Sequence, residues 1–427
     1  QNATSIFNWT ISSGGTIISG QGTNQIAIDW SAIPGGPHTI TVVETDVYGC
    51  LGNPVIVDVT IADAATANAG IDDNVCEGNS YTVSGATATN YSSISWLSSG
   101  TGTFSSGATL TPIYTPSAAD IASGSVTLTL SALGNSPCSD ATNSFILTII
   151  PLPTANAGVD DNICEGLTFS PTGTSTTNNS SVNWTSSGAG TFTSGATLTP
   201  IYTPSAADIA SGSVTLTLTA LGNSPCGSVI DNMILTIIPA AIANAGIDDN
   251  VCEGSSYTVS AATATNYSSI SWASSGTGTF TSGATLTPIY TPSPADISSG
   301  SVTLSMTILG NFPCASDISS MLLTIVSAPV SDAGADDYTC EGIDYTFSSG
   351  YATTLNSTSV SWTTTGDGTF TNGTSLTPTY IPGPNDILNG TVDLTLVSVG
   401  NSPCSTGIDV MTLIINPTPT TGPIFHN

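Results

Sequence analysis

The sequence predicts an all-β chain of tandem β-sandwich repeats arranged as an elongated rod. Three observations predict it. Cys-Glu-Gly recurs at Cys76, Cys164, Cys252 and Cys340, each 88 residues after the last. Trp96, Trp184, Trp272 and Trp362 keep nearly the same period, as does a second cysteine set. Thr, Ser, Val and Ile dominate between these marks, and such residues favour strands.

The period divides the chain into four full repeats at 63–150, 151–238, 239–326 and 327–416, a partial domain at 1–62, and a further linker at 417–427. Gly107–Leu130 recurs unchanged as Gly195–Leu218, and the copy at Gly283–Met306 differs at four positions, as expected of a recently duplicated module. In the first domain, Trp9 and Cys50 are 41 residues apart, against 42 between Trp and second Cys in each repeat. The matching first cysteine would precede Gln1. The sequence is therefore expected to begin inside one domain and to end at the threshold of another, as part of a longer protein.

Repeat 63–150 illustrates the expected elements. Tyr81-Thr82-Val83 begins a strand. Ile94-Ser95-Trp96-Leu97 alternates and carries a core Trp. Gly100-Thr101-Gly102 turns the chain, and Thr109 to Thr115 forms a strand ending near Tyr114. Pro116 to Asp120 is expected to form a turn of helix capped by Ser117 and closed by Gly124. Val126, Leu128 and Leu130 alternate with Thr127 and Thr129, the pattern of a half-buried strand. Phe145 to Ile150 is the last strand, and Pro151-Leu152-Pro153 a stiff linker. Six or seven strands in under 90 residues, in a Cys…Trp…Cys order, indicate an immunoglobulin-like sandwich. The Tyr-x-Cys corner of antibody domains is missing, so the disulfide is expected at the periphery.

The charge balance is extreme: no Lys, no Arg, 29 acidic residues and two His, His38 and His426. Phosphate and nucleic-acid recognition depend on Lys and Arg and are excluded. Lys–Asn isopeptide bonds are excluded too, and no trypsin-type cleavage site exists. No apolar run reaches the roughly 18 residues of a membrane span. With only two His and no recurring catalytic constellation, no enzyme activity is expected.

Paired cysteines at fixed spacing indicate disulfides and an oxidising, extracellular setting. The expected pairing is within repeats: Cys76–Cys138, Cys164–Cys226, Cys252–Cys314 and Cys340–Cys404. The alternative joins neighbours 26 residues apart, from Cys50–Cys76 to Cys314–Cys340. The first pairing meets one difficulty. In this fold the loop before the second strand and the loop before the last strand lie at opposite ends, unless Cys76 sits along the first strand, beside the last one.

Acidic residues cluster before each first cysteine: Asp72, Asp73 and Glu77; Asp160, Asp161 and Glu165; Asp248, Asp249 and Glu253; Asp336, Asp337 and Glu341. With no cation in the chain, calcium is the candidate cofactor, since it takes carboxylate and carbonyl oxygens. The competing expectation is turn capping by Asp and a solvated Glu. Asp120, Asp208, Asp296 and Asp386 are expected to cap the helical corner, and the Trp side chains to lie in the cores.

The motif Cys76-Glu77-Gly78, Trp96, Gly100-Thr101-Gly102-Thr103-Phe104, Tyr114-Thr115-Pro116, Asp120 and Pro137-Cys138 resembles repeats of very large surface adhesins of gliding bacteria, the SprB-type gliding-motility adhesins. The resemblance covers Ala62 to Asn416, and the first domain looks more like a PKD-type relative. It implies type IX secretion, a filament on the outer surface of a Gram-negative bacterium, and attachment to a substratum during movement. Expected partners are other domains of the same long chain and surface glycans or the substratum. The expected function is a structural stalk within such an adhesin. A tandem carbohydrate-binding array and an accessory region of a secreted hydrolase are the alternatives.

Overall fold

The computed structural model describes residues 5–12, 14–30, 35–420 and 422. His426 and much of the expected C-terminal linker lie outside them. The fold is a tandem series of immunoglobulin-like β-sandwiches.

In repeat 63–150 the elements are β1 (Thr66–Asn68), β2 (Asp73–Cys76), β3 (Tyr81–Thr82), β4 (Thr87–Thr89), β5 (Tyr91–Ser98), β6 (Thr103–Ser105), β7 (Ile113–Thr115), α1 (Ala118–Ser123), β8 (Ser125–Gly134) and β9 (Ala141–Ile150). One sheet has the order β5-β8-β9-β2. The facing sheet is β6-β7-β3, and β1 pairs with β4. Every pairing in the larger sheet is antiparallel except the last. There β2 runs parallel to β9, with Asp73 opposite Leu147 and Cys76 opposite Ile150.

The core follows from alternation. Val126, Leu128, Leu130 and Ala132 of β8 are buried, as are Phe145, Leu147 and Ile149 of β9 and Val75 of β2. Each fully buried large aliphatic contributes roughly 1.5–3 kcal/mol. Trp96 is buried against Phe104 and Phe145, and its Nε1–H donates to the Thr109 carbonyl at 3.1 Å. Trp184 and Trp362 are buried likewise, and Trp272 is half-buried. The strand expected from Thr109 is shorter than its sequence suggested. Residues 106–109 form a turn, Thr109 N–H donating to the Ser106 carbonyl, 110–112 are irregular, and only Ile113–Thr115 pairs.

The helical corner is built as its sequence implies. Ser117 caps α1 in a reciprocal capping box with Asp120, and Gly124, at φ 76°, closes it. Asp120 is only 2% exposed, yet no cation answers it. Its carboxylate accepts from Thr101 N–H at 2.9 Å, Ser117 N–H at 2.9 Å and the Tyr114 hydroxyl at 2.8 Å. The Gly-x-Gly turn makes this possible: a Cβ at Gly100 or Gly102 would collide with that carboxylate. The fourth repeat keeps the arrangement by another route. Gly383 replaces the capping Ser, and Asp367, where other repeats have Thr or Ala, accepts from Asn385 and Asp386 N–H.

Burial opposes the charge of these corner carboxylates, but the converging donors outweigh it. For Asp208 the donors are Ser205 N–H, the Tyr202 hydroxyl and Ala189 N–H, and the pKa falls from 3.8 to about 2. Asp296 falls to about 2 in the same way, and Asp120 and Asp386 are also lowered.

In the first domain, Ile6–Ile11, Gly35–Thr45 and Val55–Ile61 form an antiparallel sheet in that order, with Trp9 opposite Val42. This matches the β5-β8-β9 order, with Trp9 in the place of Trp96.

A depressed folded-state pKa stabilises the fold fully above the unfolded value and less as pH falls through the folded value. Asp208→Asn is therefore expected to lower stability at neutral pH by on the order of 2 kcal/mol. The gap from the unsubstituted chain should close between pH 4 and pH 2, read by denaturant melts across that range. A gap independent of pH would show that the carboxylate charge is not what the corner uses.

Candidate functional site: the junction between repeats

The parallel pairing of β2 with β9 decides where the conspicuous residues go. β9 carries the chain out of the repeat at Ile150, and β2 ends beside it at Cys76. Cys138 precedes β9, a full strand away. At about 3.4 Å per residue the twelve residues from Cys138 to Ile150 span roughly 40 Å. Cys76 and Cys138 thus lie at opposite ends of one repeat, and the Cys76–Cys138 pairing expected from the sequence does not form.

The disulfides instead join successive repeats. Cys76 bonds Cys226, Cys164 bonds Cys314, and Cys252 bonds Cys404. Their Cα separations, 5.0, 4.9 and 4.9 Å, suit a disulfide. Cys164–Cys226, Cys252–Cys314 and Cys340–Cys404 are therefore also corrected, and the neighbour pairing at 26-residue spacing is absent as well. Cys138 and Cys340, expected in disulfides, are free thiols, as is Cys50. One bridge closing a 150-residue loop restricts the unfolded chain by about 5 kcal/mol on the loop-entropy model.

Around each bridge the linker backbone is held from both sides. At the first junction, Glu77 N–H donates to the Ile150 carbonyl at 2.8 Å, and Glu77 Oε2 accepts from Leu152 N–H at 3.1 Å. From the following repeat, Asn178 Nδ2 donates to the Leu152 carbonyl at 3.0 Å, and Asn223 Nδ2 in turn donates to the Asn178 carbonyl at 3.1 Å. One linker residue between two prolines thus has its N–H held by one repeat and its carbonyl by the next. Asn178 has φ 54°, a left-handed conformation Asn tolerates better than most residues. Cys226 sits in the same loop as Asn223, its N–H donating to the Asn223 carbonyl at 2.8 Å, and its sulfur lies 3.3 Å from the Ile150 carbonyl oxygen.

The later junctions repeat this arrangement. Glu165 and Asn266 hold Ala240, and Glu253 and Asn356 hold Ala328. Glu341 Oε2 accepts from Thr418 N–H and from the Thr418 hydroxyl, both at 3.1 Å. At the entrance to the first full repeat Asn90 donates to the Ala64 carbonyl, and the Cys138 thiol approaches the Ala62 carbonyl at 3.3 Å. Incoming and outgoing linkers therefore lie at opposite ends of the repeat, which stacks the repeats end to end.

The acidic clusters are engaged by hydrogen bonds of the fold. Asp72 Oδ1 accepts from Ile146 N–H at 2.7 Å, and Asp160, Asp248 and Asp336 accept from Ile234, Leu322 and Thr412 in the same way. Asp73 accepts from Asn74 N–H and from the Tyr81 hydroxyl. Burial and that bond to Asp73 push the Tyr81 hydroxyl up to about 12, and Tyr257 beside Asp249 behaves alike. Asp337 accepts from the Tyr345 hydroxyl, whereas in the second repeat Phe169 stands at the position of Tyr81 and Asp161 accepts from Asn162 N–H. Glu77, Glu165, Glu253 and Glu341 stand at the other end of each four-residue strand, roughly 14 Å on, and hold linkers. Among the described residues no three acidic, His or Cys side chains gather where a metal could bind.

The junction residues that sequence reasoning missed are Asn178, Asn223 and their equivalents. Their signal was present: each stands one residue before the Trp-bearing strand or three before the second Cys, in every repeat.

No protein-family model matches the chain, and no curated protein does. Among solved structures it is similar to Sidekick-1 immunoglobulin domains 1–5, at 11% identity and TM-score 0.30, covering 97% of this chain and 93% of that one. It is similar to the titin I-band fragment I67–I69, at 14% identity and TM-score 0.37, over 62% and 98%. It is also similar to protocadherin gamma B7 cadherin domains 1–4, at 12% and 0.32, over 75% and 91%. Among the described residues no helix is long and apolar enough to cross a membrane.

Non-reducing digestion with pepsin followed by mass spectrometry is expected to yield a cross-linked peptide pair containing Cys76 and Cys226, and none containing Cys76 and Cys138. Chelation with EDTA is expected to leave Tm unchanged, whereas a fall in Tm would show that a divalent cation such as calcium is bound.

Proposed function

We propose that this chain is a structural stalk segment of a large secreted cell-surface adhesin, of the gliding-motility filament kind, and that it carries no enzyme activity. The observation that carries the reading is the repeated junction. A disulfide, a Glu and an Asn fix each linker between full repeats, so the sequence is organised around keeping repeats in line. The disulfides suit an oxidising extracellular setting, which on this reading is the outer surface of a Gram-negative bacterium reached by type IX secretion. The absence of Lys and Arg removes trypsin-type cleavage sites from a segment that would be exposed to proteases. Acidic surface charge keeps neighbouring filaments apart.

On this reading the repeats are spacers, and contact with a substratum or with surface glycans belongs to other domains of the same long chain. A tandem carbohydrate-binding array would need exposed aromatics on each repeat. The Trp rings, its best candidates, are instead buried or half-buried in the cores.

Removing two repeats together with their junctions is expected to shorten the stalk without abolishing attachment by the parent protein, scored by adhesion and by filament length in electron microscopy. On a glycan array the isolated chain is expected to bind nothing specifically. A saturable glycan affinity that scales with repeat number would replace the stalk with the binding array.

A further inference from the structure

Each bridge spans 150 or 152 residues of sequence, and the order of the bridges along the chain gives them a further property. From Cys76 the disulfide leads to Cys226. From Cys226 the backbone runs 26 residues to Cys252, and the next disulfide leads to Cys404. The backbone between Cys76 and Cys404 is 328 residues long, yet this covalent route uses only the segment 226–252 and two bridges.

That segment is already extended. It comprises the last strand of the second repeat, Val229–Ile238, the linker, and Ile242–Asn244 and Asp249–Cys252 of the third. It therefore runs the length of two repeats, mostly as β-strand. Stretching 26 residues from strand to full extension gains only on the order of 20 Å, turns included.

A second route interleaves with the first. Segment 138–164 runs through the first two full repeats to Cys164, whose disulfide leads to Cys314, and 314–340 runs through the next two. In each full repeat one route uses the entering segment and the other the leaving strand. These are the two strands that pair in parallel: Asp161–Cys164 against Leu235–Ile238 in the second repeat and Asp249–Cys252 against Leu323–Val326 in the third. The residues between, such as 165–225 and 253–313, lie on neither route.

We infer that the disulfides make the stalk an inextensible tether. One covalent rail between Cys76 and Cys404, with the Cys164–Cys314 route laid beside it as the parallel strand pair of the second and third sandwiches, carries tension past the rest of each repeat. Pulling on the chain loads strands that have almost no slack. The corner helix, the Trp-bearing strand and the glycine-rich turns are shielded from unfolding by force. The inference rests on the stalk reading for its biological use, while its mechanics stand on the connectivity alone.

Single-molecule force extension of residues 1–427, pulled from its ends, tests it. A freed 88-residue repeat lengthens the chain by about 30 nm. The oxidised chain is expected to show no such steps between Cys76 and Cys404, and the chain reduced with a phosphine is expected to show them for each repeat. A single Cys226→Ser substitution removes one bridge and is expected to add on the order of 40 nm, since the shortest remaining covalent route gains about 120 residues. Steps of about 30 nm in the oxidised chain would overturn the inference. So would steps of about 10 nm, the signature of bridges closed within repeats, or a trace that reduction leaves unchanged. The stalk reading fails separately, on glycan affinity.

Discussion

The structure turns on the parallel pairing of a four-residue strand with the last strand of the same sandwich. That pairing carries Cys76, Cys164, Cys252 and Cys340 to the end from which the chain leaves. The second cysteine stands at the start of the last strand, at the end through which the chain enters. A cysteine at each exit and one at each entrance meet across a junction, and no rearrangement within a repeat could bring them together. The linker grips follow from the same placement. Glu77, one residue beyond Cys76, reaches the backbone that has just left the sheet.

The absence of Lys and Arg shapes how polar groups are satisfied. In most proteins a buried carboxylate is answered by a cation. Here every corner Asp is answered by backbone N–H groups and a tyrosine hydroxyl, and the glycines exist because the carboxylate occupies the space a side chain would fill. The Asp residues before the first cysteine serve sheet donors in the same manner. Such hydrogen bonds do not screen away as exposed ion pairs do. These corners are therefore less sensitive to ionic strength than exposed salt bridges, although the net charge of −29 leaves a self-repulsion that salt screens.

Each repeat consequently divides its labour. The entering segment and the leaving strand connect repeats and hold the bridges. The central stretch, including the identical blocks Gly107–Leu130 and Gly195–Leu218, fills the sandwich and completes its core. The free thiols Cys138 and Cys340 occupy the entrance and exit positions that are bridged elsewhere.

The sequence by itself determined the repeat, the all-β class, the core Trp, the capped corner and the linkers. Each of these is local: period-2 alternation, a capping residue three positions before its partner, two prolines flanking one linker residue. It also exposed the tension in its own disulfide assignment, because strand order in a sandwich separates Cys76 from Cys138. Only the tertiary structure decided that the cysteines bond across junctions and that Glu77 and Asn178 hold one linker residue between them. It also decided that the acidic pairs answer backbone donors. Those facts depend on which end of a strand meets which neighbour, a relation between residues 26 to 152 positions apart that local patterning cannot express.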